Sequence, residues 1–437
     1  MKIAVIGGGL SGLTVSHHLV DAGHDVTCFD ASDRPGGLIR SERRDGFLCE
    51  VGPQAILDGA PEVQALFEEL GLKARVCAPA PAAKRRMVYV GGKLRTVPAG
   101  PGSFLTTNLL SLRGKWRLAR EGSIKEPAGS EDETVLEFAA RRGGREAAER
   151  LAAPAVIGVF SGDAGKLSMR SAFPRLAVLE ARYGSLLKGM KAARRRGVRA
   201  GKSVSFPDGL EELPRALAAK LGGRLVTLKV SPIKRDLAGW TVEHERFDGV
   251  VVALAPLAAA QAIEGVVPAA AAGLRGLTLA SVAVVALGFR RQDLGMDLGA
   301  YGFLVARGEK PTILGCQYDS TTFPGRAPQG GALLRVLLGG TFEPGAVERD
   351  DAALVAHALG DLRTIAGLKA EPDFTAVWRH RQVLPQYEVG HERRASAIEA
   401  AVAKNLRLHL LTVGLRGVGL SDCIRNAAAL ANKIGPA

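Results

Sequence analysis

The first thirty residues alternate between apolar runs and glycine-rich or polar turns, with the spacing of a strand, a helix and a second strand. Residues 2–6 form an apolar run that is typical of a buried parallel strand. Residues 13–22 carry apolar side chains at Leu13, Val15, Leu19 and Val20 and predict a helix that Gly23 ends. Residues 24–30 predict a second strand, so the chain opens with a β-α-β unit.

A glycine-rich turn joins the first strand to the helix. It consists of Gly7, Gly8, Gly9, Leu10, Ser11 and Gly12, and it matches the pattern G-x-G-x-x-G. The first glycine of such a turn permits a tight bend, the second permits the close approach of a pyrophosphate, and the third lets the helix pack on the strand. Asp30 lies 18 positions after Gly12, where an acid binds a ribose hydroxyl. The unit predicts a dinucleotide site, and the alternative is a glycine-rich turn in an unrelated β-α-β unit.

The composition bounds the size of the protein and its partners. A chain of 437 residues is too long for one ordinary domain and predicts two or three. The formal net charge of +14 favours anionic partners, namely nucleic acid, an acidic lipid surface or an acidic substrate, and a coding bias toward arginine explains it equally well. The longest apolar run, residues 277–289, is shorter than the ~20 residues that a membrane-spanning helix needs.

Cysteine and histidine are not spaced as in a metal site. The five cysteines are scattered without a C-x-x-C pair, which indicates a reducing compartment. His17 and His18 are adjacent on the predicted helix, so we expect them to face different ways and we expect no bound metal. The apolar run before Gly7 is too short for a signal peptide, and a cytoplasmic location is expected.

The segment after the second strand resembles the FAD-binding amine-oxidase superfamily. The match consists of an acid, an arginine and paired glycines, at Asp30, Arg34, Gly36, Gly37 and Leu38. The superfamily usually has glutamate where this chain has Asp30. The resemblance implies FAD as the cofactor, with the paired glycines close to it and Arg34 adding positive charge nearby.

Other segments resemble the same superfamily. Residues 225–233 resemble the strand beside the adenine, residues 247–256 a strand that returns to the nucleotide sheet, and residues 410–414 read as a strand before a helix that opens at 417–424. The N–H groups at that helix start are expected to face the flavin. The remaining implied cofactor contacts are Gly52, Pro53, Gln54, Ala55, Val230, Trp378, Gly414, Val418, Gly419 and Leu420. For Trp378 the alternative is core packing.

The implied fold is α/β, with a discontinuous Rossmann-like FAD-binding domain, a mixed α+β substrate domain and a helical insertion. The expected boundaries are 1–82, 203–268 and 405–437 for the FAD-binding domain, 83–97 and 269–404 for the substrate domain, and 98–202 for the helical insertion.

A narrower resemblance comes from residues 158–163 and 166–174, which are similar to the signature stretch of the oxygen-dependent protoporphyrinogen oxidases. Blocks at 86–92, 317–320, 384–391 and 417–424 match the same family in the same order. The resemblance implies FAD-dependent oxidation of a porphyrinogen to a porphyrin in haem biosynthesis, with six electrons removed in three flavin cycles and oxygen reduced to peroxide. One departure is the turn at 414–417, which is about two residues shorter than the family's usual turn.

The same resemblance assigns substrate contacts. Arg86 is expected to hold a propionate through two hydrogen bonds, and the alternatives are a surface arginine or Arg85 in its place. Gly158 is expected to lie against the tetrapyrrole, or else to be an ordinary loop glycine. The implied apolar pocket residues, each of which could instead be core, are Tyr301, Leu304, Leu337 and Leu384.

Several functions remain open at this point. Coproporphyrinogen III oxidation differs from protoporphyrinogen IX oxidation in the number of substrate carboxylates, four against two. An amine oxidase or carotenoid desaturase on the same fold, and a porphyrin-binding flavoprotein without turnover, are further alternatives. The basic, apolar helices expected within 98–200 favour peripheral contact with an anionic membrane, against a solvated basic face. A homodimer is possible, and no nucleic-acid motif accompanies the charge.

Overall fold

The computed structural model describes residues 1–124, 131–196, 201–236 and 239–437. Two parts of the expected helical insertion, 125–130 and 197–200, therefore lie outside the described residues. The strands are β1 (Lys2–Ile6), β2 (Asp25–Asp30), β3 (Ser41–Arg44), β4 (Phe47–Glu50), β5 (Ile56–Leu57), β6 (Arg86–Val90), β7 (Lys93–Thr96), β8 (Ser203–Val204), β9 (Leu225–Thr227), β10 (Lys234–Asp236), β11 (Gly239–Val242), β12 (Glu245–Phe247), β13 (Gly249–Val252), β14 (Leu279–Arg290), β15 (Gly302–Val305), β16 (Gly315–Tyr318), β17 (Gly331–Gly339), β18 (Phe374–Pro385) and β19 (Leu408–Leu410).

The α-helices vary from single turns to four turns. They are α1 (Leu10–Asp21), α2 (Pro61–Glu69), α3 (Pro101–Thr106), α4 (Leu112–Ala119), α5 (Val135–Gly143), α6 (Arg145–Ala147), α7 (Ala153–Phe160), α8 (Met169–Ala172), α9 (Pro174–Tyr183), α10 (Leu186–Arg195), α11 (Glu212–Leu221), α12 (Pro256–Ile263), α13 (Pro268–Arg275), α14 (Asp319–Thr322), α15 (Asp351–Ala366), α16 (His391–Ala403) and α17 (Leu420–Ile434). In the part of the chain that the structure describes, no helix is long and apolar enough to cross a membrane.

The first sheet has five parallel strands in the order β19-β13-β1-β2-β9. Its strands come from the N-terminal, middle and C-terminal parts of the chain, and helices bury both of its faces. Helices α1, α2, α11 and α17 pack on one face, and α12, α13 and α16 pack on the other. This doubly covered parallel sheet confirms the expected discontinuous Rossmann-like fold. The expected domain boundaries stay a prediction.

Two strands of this sheet are shorter or shifted relative to the sequence expectation. In the stretch 225–233 only Leu225–Thr227 is a strand, because the chain leaves the edge of the sheet after Leu228, whose N–H still donates to the Asp30 carbonyl. At the other edge, β19 ends at Leu410 and is followed by a turn that begins after Thr412, so the strand expected at 410–414 lies earlier in the chain.

The second sheet has seven strands in the order β18-β14-β17-β16-β15-β6-β7, with β6 and β15 parallel and the other pairs antiparallel. The apolar run at 277–289 forms its long strand β14. Helix α15 covers one face through Leu354, Leu359 and Leu362. Helix α7, from the helical insertion, approaches the opposite face, where Ile157 packs against Val282 and Leu314.

Candidate cofactor and substrate site

The first glycine turn leaves room for a ligand at one position and none at the others. A Cβ on Gly12 would lie 1.8 Å from the Gly7 carbonyl oxygen, so α1 packs directly on the end of β1. Gly7 itself has a φ of +112°, which favours glycine. A Cβ on Gly9 would meet no atom within 4 Å. This open space lies at the start of α1, where no side chain caps the free N–H groups, and such a helix end accepts a phosphate.

The second glycine turn lies directly beside the first. The Gly36 N–H donates to the Gly8 carbonyl over 2.8 Å, and a Cβ on Gly37 would come within 3.3 Å of the Gly9 Cα. Leu38, the next residue, keeps 44% of its surface exposed. Two backbone turns without side chains therefore border one open groove, which fits the dinucleotide part of FAD.

The two polar residues of this motif brace the turns. Asp30 accepts the Gly8 N–H over 2.5 Å and the Ser32 N–H over 2.8 Å. Arg34 donates to the carbonyls of Ile39 (2.8 Å) and Gly37 (2.9 Å) and lies 3.2 Å from the buried carboxylate of Glu211. The Glu211 carboxylate therefore partly neutralises the positive charge that Arg34 was expected to add near the cofactor. The hydrogen bonds of Arg34 to the two carbonyls fix the shape of the second turn.

The segment expected at the flavin end is held from three sides. A Cβ on Gly52 would lie 1.9 Å from the Leu38 carbonyl oxygen, so this segment packs against the second glycine turn. Arg335 donates to the Gly52 carbonyl, and His380 lies 2.8 Å from the Val51 carbonyl oxygen. Burial lowers the pKa of His380, so the neutral ring is the hydrogen-bond donor. These contacts place the following residues Pro53, Gln54 and Ala55 at the junction of the two sheets.

The start of α17 lies beside this segment, since Ser421 Oγ donates to the Leu57 carbonyl over 2.6 Å. The start comprises Val418, Gly419 and Leu420, and Gly419 is exposed. Asp422 accepts the Gly419 N–H at 3.3 Å, so one of the expected free N–H groups is capped.

The shortened turn before α17 is firmly packed. A Cβ on Gly414 would lie 2.5 Å from the Pro256 side chain. Tyr387 donates to the Val413 carbonyl, and His391 lies 3.0 Å from the Leu415 carbonyl oxygen. Arg416 binds Glu399 with both of its donor–acceptor distances at 2.9 Å. The turn is a fixed part of the site rather than an interruption of it.

Two other expected cofactor contacts also lie near the site. Val230 is partly buried at the edge of the core cluster that contains Phe29 and Ile233, next to the end of β2. Trp378 is partly buried opposite Val284 on the site-facing side of the second sheet, with the Arg44 guanidinium 5.4 Å from its ring centre. Core packing and cofactor contact are both compatible with these positions.

One row of cross-strand neighbours carries two arginines on the site-facing side of the second sheet. Arg86 pairs with Gly302, Gly302 with Gln317, and Gln317 with Arg335, so these residues point to the same face. Arg335 Nη1 donates to Gln317 Oε1 over 2.7 Å. Arg86 is exposed and, within the described residues, its guanidinium makes no ion pair.

The neighbouring Arg85 is engaged elsewhere. Its guanidinium lies 2.7 Å from an Asp297 carboxylate oxygen. The guanidinium of Arg86 lies instead 5.2 Å from the ring centre of Tyr301, one of the expected pocket residues. Of the two alternatives, Arg86 is the one available to a substrate carboxylate.

The expected apolar pocket residues come together on the same face. Leu304, Leu337 and Leu384 belong to one cluster with Ile157 of α7. A Cβ on Gly158 would lie 3.0 Å from Leu304, so the glycine permits α7 to approach this cluster. An apolar wall therefore lies on the same sheet face as Arg86, between the helical insertion and the second sheet.

Several buried charged residues were not predicted from the sequence. Asp319 is 1% exposed, and burial raises its pKa to about 7. Arg326 is also 1% exposed and lies 3.0 Å from Glu50, whose side chain is fully buried. The available signal was a charged residue inside an apolar strand, as at Arg335 between Leu334 and Val336.

Two features away from this face carry no assignment. His17, His18 and Glu69 bring their ligand atoms within 4.8 Å of one another, which corrects the expectation that the histidines face different ways. The short contact there, 3.1 Å between His17 and Glu69, is that of a hydrogen-bonded pair joining α1 to α2.

A cavity of about 1020 Å³ lies in the helical insertion, and its lining includes Ile124 and Glu131, on either side of residues 125–130.

Comparisons with known proteins agree with this geometry. The profile of the family described as flavin containing amine oxidoreductase matches residues 10–408. The chain is 33% identical to the protoporphyrinogen oxidase of Bos taurus, covering 99% of this chain and 98% of the relative. It is 29% identical to the coproporphyrinogen III oxidase of Bacillus subtilis (strain 168), covering 98% and 96%.

The fold recurs in solved structures. A crystal structure of a protein from Exiguobacterium sp. 255-15 superposes with a TM-score of 0.83 at 26% identity, covering 99% of this chain and 98% of the other. With FAD bound, the flavin supplies the acceptor for electrons removed from the substrate, and the glycine turns and the segment at Gly52 are the residues that fit it. The chain binds FAD, functions as an oxidase, and belongs to the flavin-containing amine oxidoreductase family.

Proposed function

We propose that the protein oxidises protoporphyrinogen IX to protoporphyrin IX in haem biosynthesis. Six hydrogens leave the substrate in three two-electron steps, and three molecules of oxygen are reduced to three of hydrogen peroxide. The observation that carries the proposal is the site-facing side of the second sheet, where Arg86, which makes no ion pair within the described residues, stands beside an apolar wall. A largely apolar tetrapyrrole macrocycle with carboxylate arms has this combination of surfaces.

The residues of the chain have distinct tasks in this proposal. Arg86 holds one propionate by a charge-assisted, two-pronged hydrogen bond. Leu304, Leu337 and Leu384 exclude water from the macrocycle, and Gly158 lets α7 pack closely against Leu304 at the border of the same pocket. The expected cofactor residues at 52–55 then place the flavin at the junction of this face and the first sheet.

Coproporphyrinogen III is the second candidate substrate. The observation that favours it is the similarity to coproporphyrinogen III oxidases of Bacillus subtilis and of Staphylococcus aureus, the latter at 30% identity over 99% of this chain. Its four carboxylates require more cations than the one unpaired arginine described above.

The experiment that tests the function supplies both porphyrinogens to the purified flavoprotein in air. Porphyrin fluorescence and oxygen uptake are followed together. A higher kcat/KM for protoporphyrinogen IX supports the proposal, and a higher value for coproporphyrinogen III transfers it to the second candidate. Full flavin occupancy without oxidation of either substrate contradicts both.

Replacing Arg86 by alanine is expected to raise KM for the preferred porphyrinogen by roughly tenfold to a hundredfold with little change in kcat. The reason is the loss of a charge-assisted hydrogen bond, about 1.5–3 kcal/mol, that is made equally in the ground and transition states. Steady-state oxygen uptake measures both constants. Arg85→Ala is the matched control, because Arg85 is paired with Asp297, and it is expected to behave as the wild type. An equal loss in both variants contradicts the assignment of Arg86.

The surface of the helical insertion supports peripheral binding to an anionic membrane. Leu112 is 83% exposed and Trp116 is 61% exposed, one turn apart on α4. Leu105 on the adjoining helix α3 is 73% exposed, and Lys115 donates to its carbonyl over 2.7 Å. Apolar side chains among basic ones are typical of helices that lie on a lipid surface.

The double variant Leu112→Ser, Trp116→Ser is expected to bind anionic lipid vesicles at least about tenfold more weakly than the wild type, since each large apolar side chain contributes about 1.5–3 kcal/mol on burial. Co-sedimentation with phosphatidylglycerol vesicles measures it. Leu406→Ser is the control, because Leu406 is 69% exposed but lies between α16 and β19. Equal binding by the double variant and the control would exclude this surface.

A cytoplasmic location and a homodimer stay predictions. Light scattering, which measures the molar mass in solution, tests the homodimer.

A further inference from the structure

The carboxamide of Gln54 is held between two hydrogen-bond partners, Asp319 and Tyr301. Gln54 is 5% exposed. Its Nε2 donates to Asp319 Oδ1 over 2.7 Å, and its Oε1 accepts from the Tyr301 hydroxyl over 3.0 Å. The reverse orientation of the amide would set its oxygen against the Asp319 carboxylate oxygen, which is repulsive. In its ionised form, Asp319 therefore determines which end of Gln54 meets Tyr301.

The same tyrosine lies under the proposed substrate arginine. The Arg86 guanidinium is 5.2 Å from the ring centre of Tyr301, within the range of a cation–π contact. The Tyr301 N–H also donates to the Arg85 carbonyl over 2.8 Å, which ties the ring to the start of β6. A continuous series of contacts thus runs from Asp319 through Gln54 and Tyr301 to Arg86.

Within the part of the chain that the structure describes, Gln54 is the one hydrogen-bond partner of the Asp319 side chain. The charges of two arginines partly oppose the rise in the pKa of Asp319, but both side chains are engaged elsewhere. Arg335 contacts Gln317, and Arg326 contacts Glu50. Among the described residues no ion pair involves Asp319, although the side chain is almost completely buried. Burying a carboxyl group without an ion pair destabilises a fold. We therefore expect this carboxyl group to have a role, and its contact with Gln54 indicates which one.

We propose that Asp319 is a positioning residue of the substrate site, which fixes the carboxamide of Gln54 and, through the hydroxyl of Tyr301, the orientation of Arg86. This inference rests on the proposed function, in which Arg86 binds a carboxylate of the substrate. Two hydrogen bonds and one cation–π contact then connect Asp319, through Gln54 of the flavin-side segment, to the substrate arginine.

The test measures binding of protoporphyrin IX to the FAD-loaded protein by fluorescence quenching, beside KM and kcat. Asp319→Ala is expected to weaken porphyrin binding and raise KM about tenfold. Asp319→Asn is expected to restore most of the affinity, because its amide oxygen can still accept from Gln54 Nε2. Asp297→Ala, which removes an exposed aspartate paired with Arg85, is the control and is expected to bind as the wild type does.

A double variant separates positioning from a general loss of structure. The double variant Asp319→Ala, Tyr301→Phe is expected to bind protoporphyrin IX with a Kd at most about twofold higher than that of the single variant with the higher Kd. The reason is that both changes break the same series of contacts. The inference is overturned if the increases in Kd of the two single variants multiply in the double variant. It is also overturned if Asp319→Ala binds protoporphyrin IX with wild-type affinity. If Asp319→Ala does not fold, the same cycle is run with Gln54→Leu, where additivity with Tyr301→Phe again overturns it. A wild-type protein that binds no porphyrin refutes the proposed function itself, a result distinct from these.

Discussion

Replacing Gly12 by alanine is expected to give protein that carries no bound flavin and accumulates poorly in soluble form. The new Cβ would lie 1.8 Å from the Gly7 carbonyl oxygen, and the backbone at the junction of β1 and α1 fixes the positions of both atoms. The helix must move away from the sheet, which separates its free N–H groups from the open space beside Gly9. Overpacking of this kind costs about 1–3 kcal/mol or more. The ratio of flavin to protein absorbance and the thermal midpoint measure the effect.

Gly9→Ala is the matched control for this prediction. Its backbone has a φ of −72°, which alanine adopts readily, and no protein atom lies within 4 Å of the new Cβ. The flavin-free protein is therefore expected to fold with an unchanged thermal midpoint, while FAD binds more weakly because the methyl group enters the space proposed for the pyrophosphate. Stoichiometric FAD and a normal midpoint in Gly12→Ala would contradict the packing argument.

Replacing Arg326 by leucine is expected to destabilise the protein by about 3–5 kcal/mol, the usual cost of removing one member of a buried ion pair. Arg326 lies 3.0 Å from Glu50, and both side chains are at most 1% exposed. Glu50 would keep its hydrogen bonds from Ser41 Oγ (2.6 Å) and the Leu210 N–H (2.9 Å) but would lose its counter-charge. Because a protein with a tightly bound cofactor need not unfold in two states, the thermal midpoint of the flavoprotein is the appropriate measure.

The pH dependence of this loss has a definite sign. Burial raises the pKa of Glu50, and the Arg326 charge opposes that rise. Without the arginine the folded-state pKa lies still higher, so protonated Glu50 supports the fold at low pH and this support is lost as the pH rises. The deficit is expected to be larger at pH 8 than at pH 5.5. The double variant Arg326→Leu, Glu50→Gln should recover part of the stability at pH 8, and a deficit independent of pH would refute the assignment.

The sequence predicts the local features of this fold well because they depend on nearby residues. The strand, glycine turn and helix at 2–21 follow from apolar spacing and from the steric needs of Gly7 and Gly12. The expected strand at 225–233 was too long, because pairing with β2 ends at Thr227 whatever the apolar content beyond it. The fold class and cofactor, which the resemblance implied, are confirmed.

The site could be predicted only in part, because strand register decides it. Leu304, Leu337 and Leu384 lie on three different strands, and their meeting depends on pairings that no local pattern specifies. The resemblance assigns them to one pocket, and they lie in one cluster, but their roles stay predictions. Gln54 and Asp319 are 265 positions apart, so their hydrogen bond leaves no trace in either neighbourhood of the sequence. The compensation of Arg34 by Glu211 was invisible for the same reason.

The assembly of the five-stranded sheet from three parts of the chain constrains when the protein can become active. Strand β13 pairs with β1 and with β19, and α17 packs on α1 through Ile424 and Ala427. During synthesis the N-terminal glycine turns leave the ribosome first, but their supporting edge strand and helix emerge only with residues 408–434. Pairings at such sequence separation form slowly, since a long loop must close first. We therefore expect stable FAD loading to follow completion of the chain, because β13 lacks its neighbour β19 and α1 lacks its neighbour α17 until then.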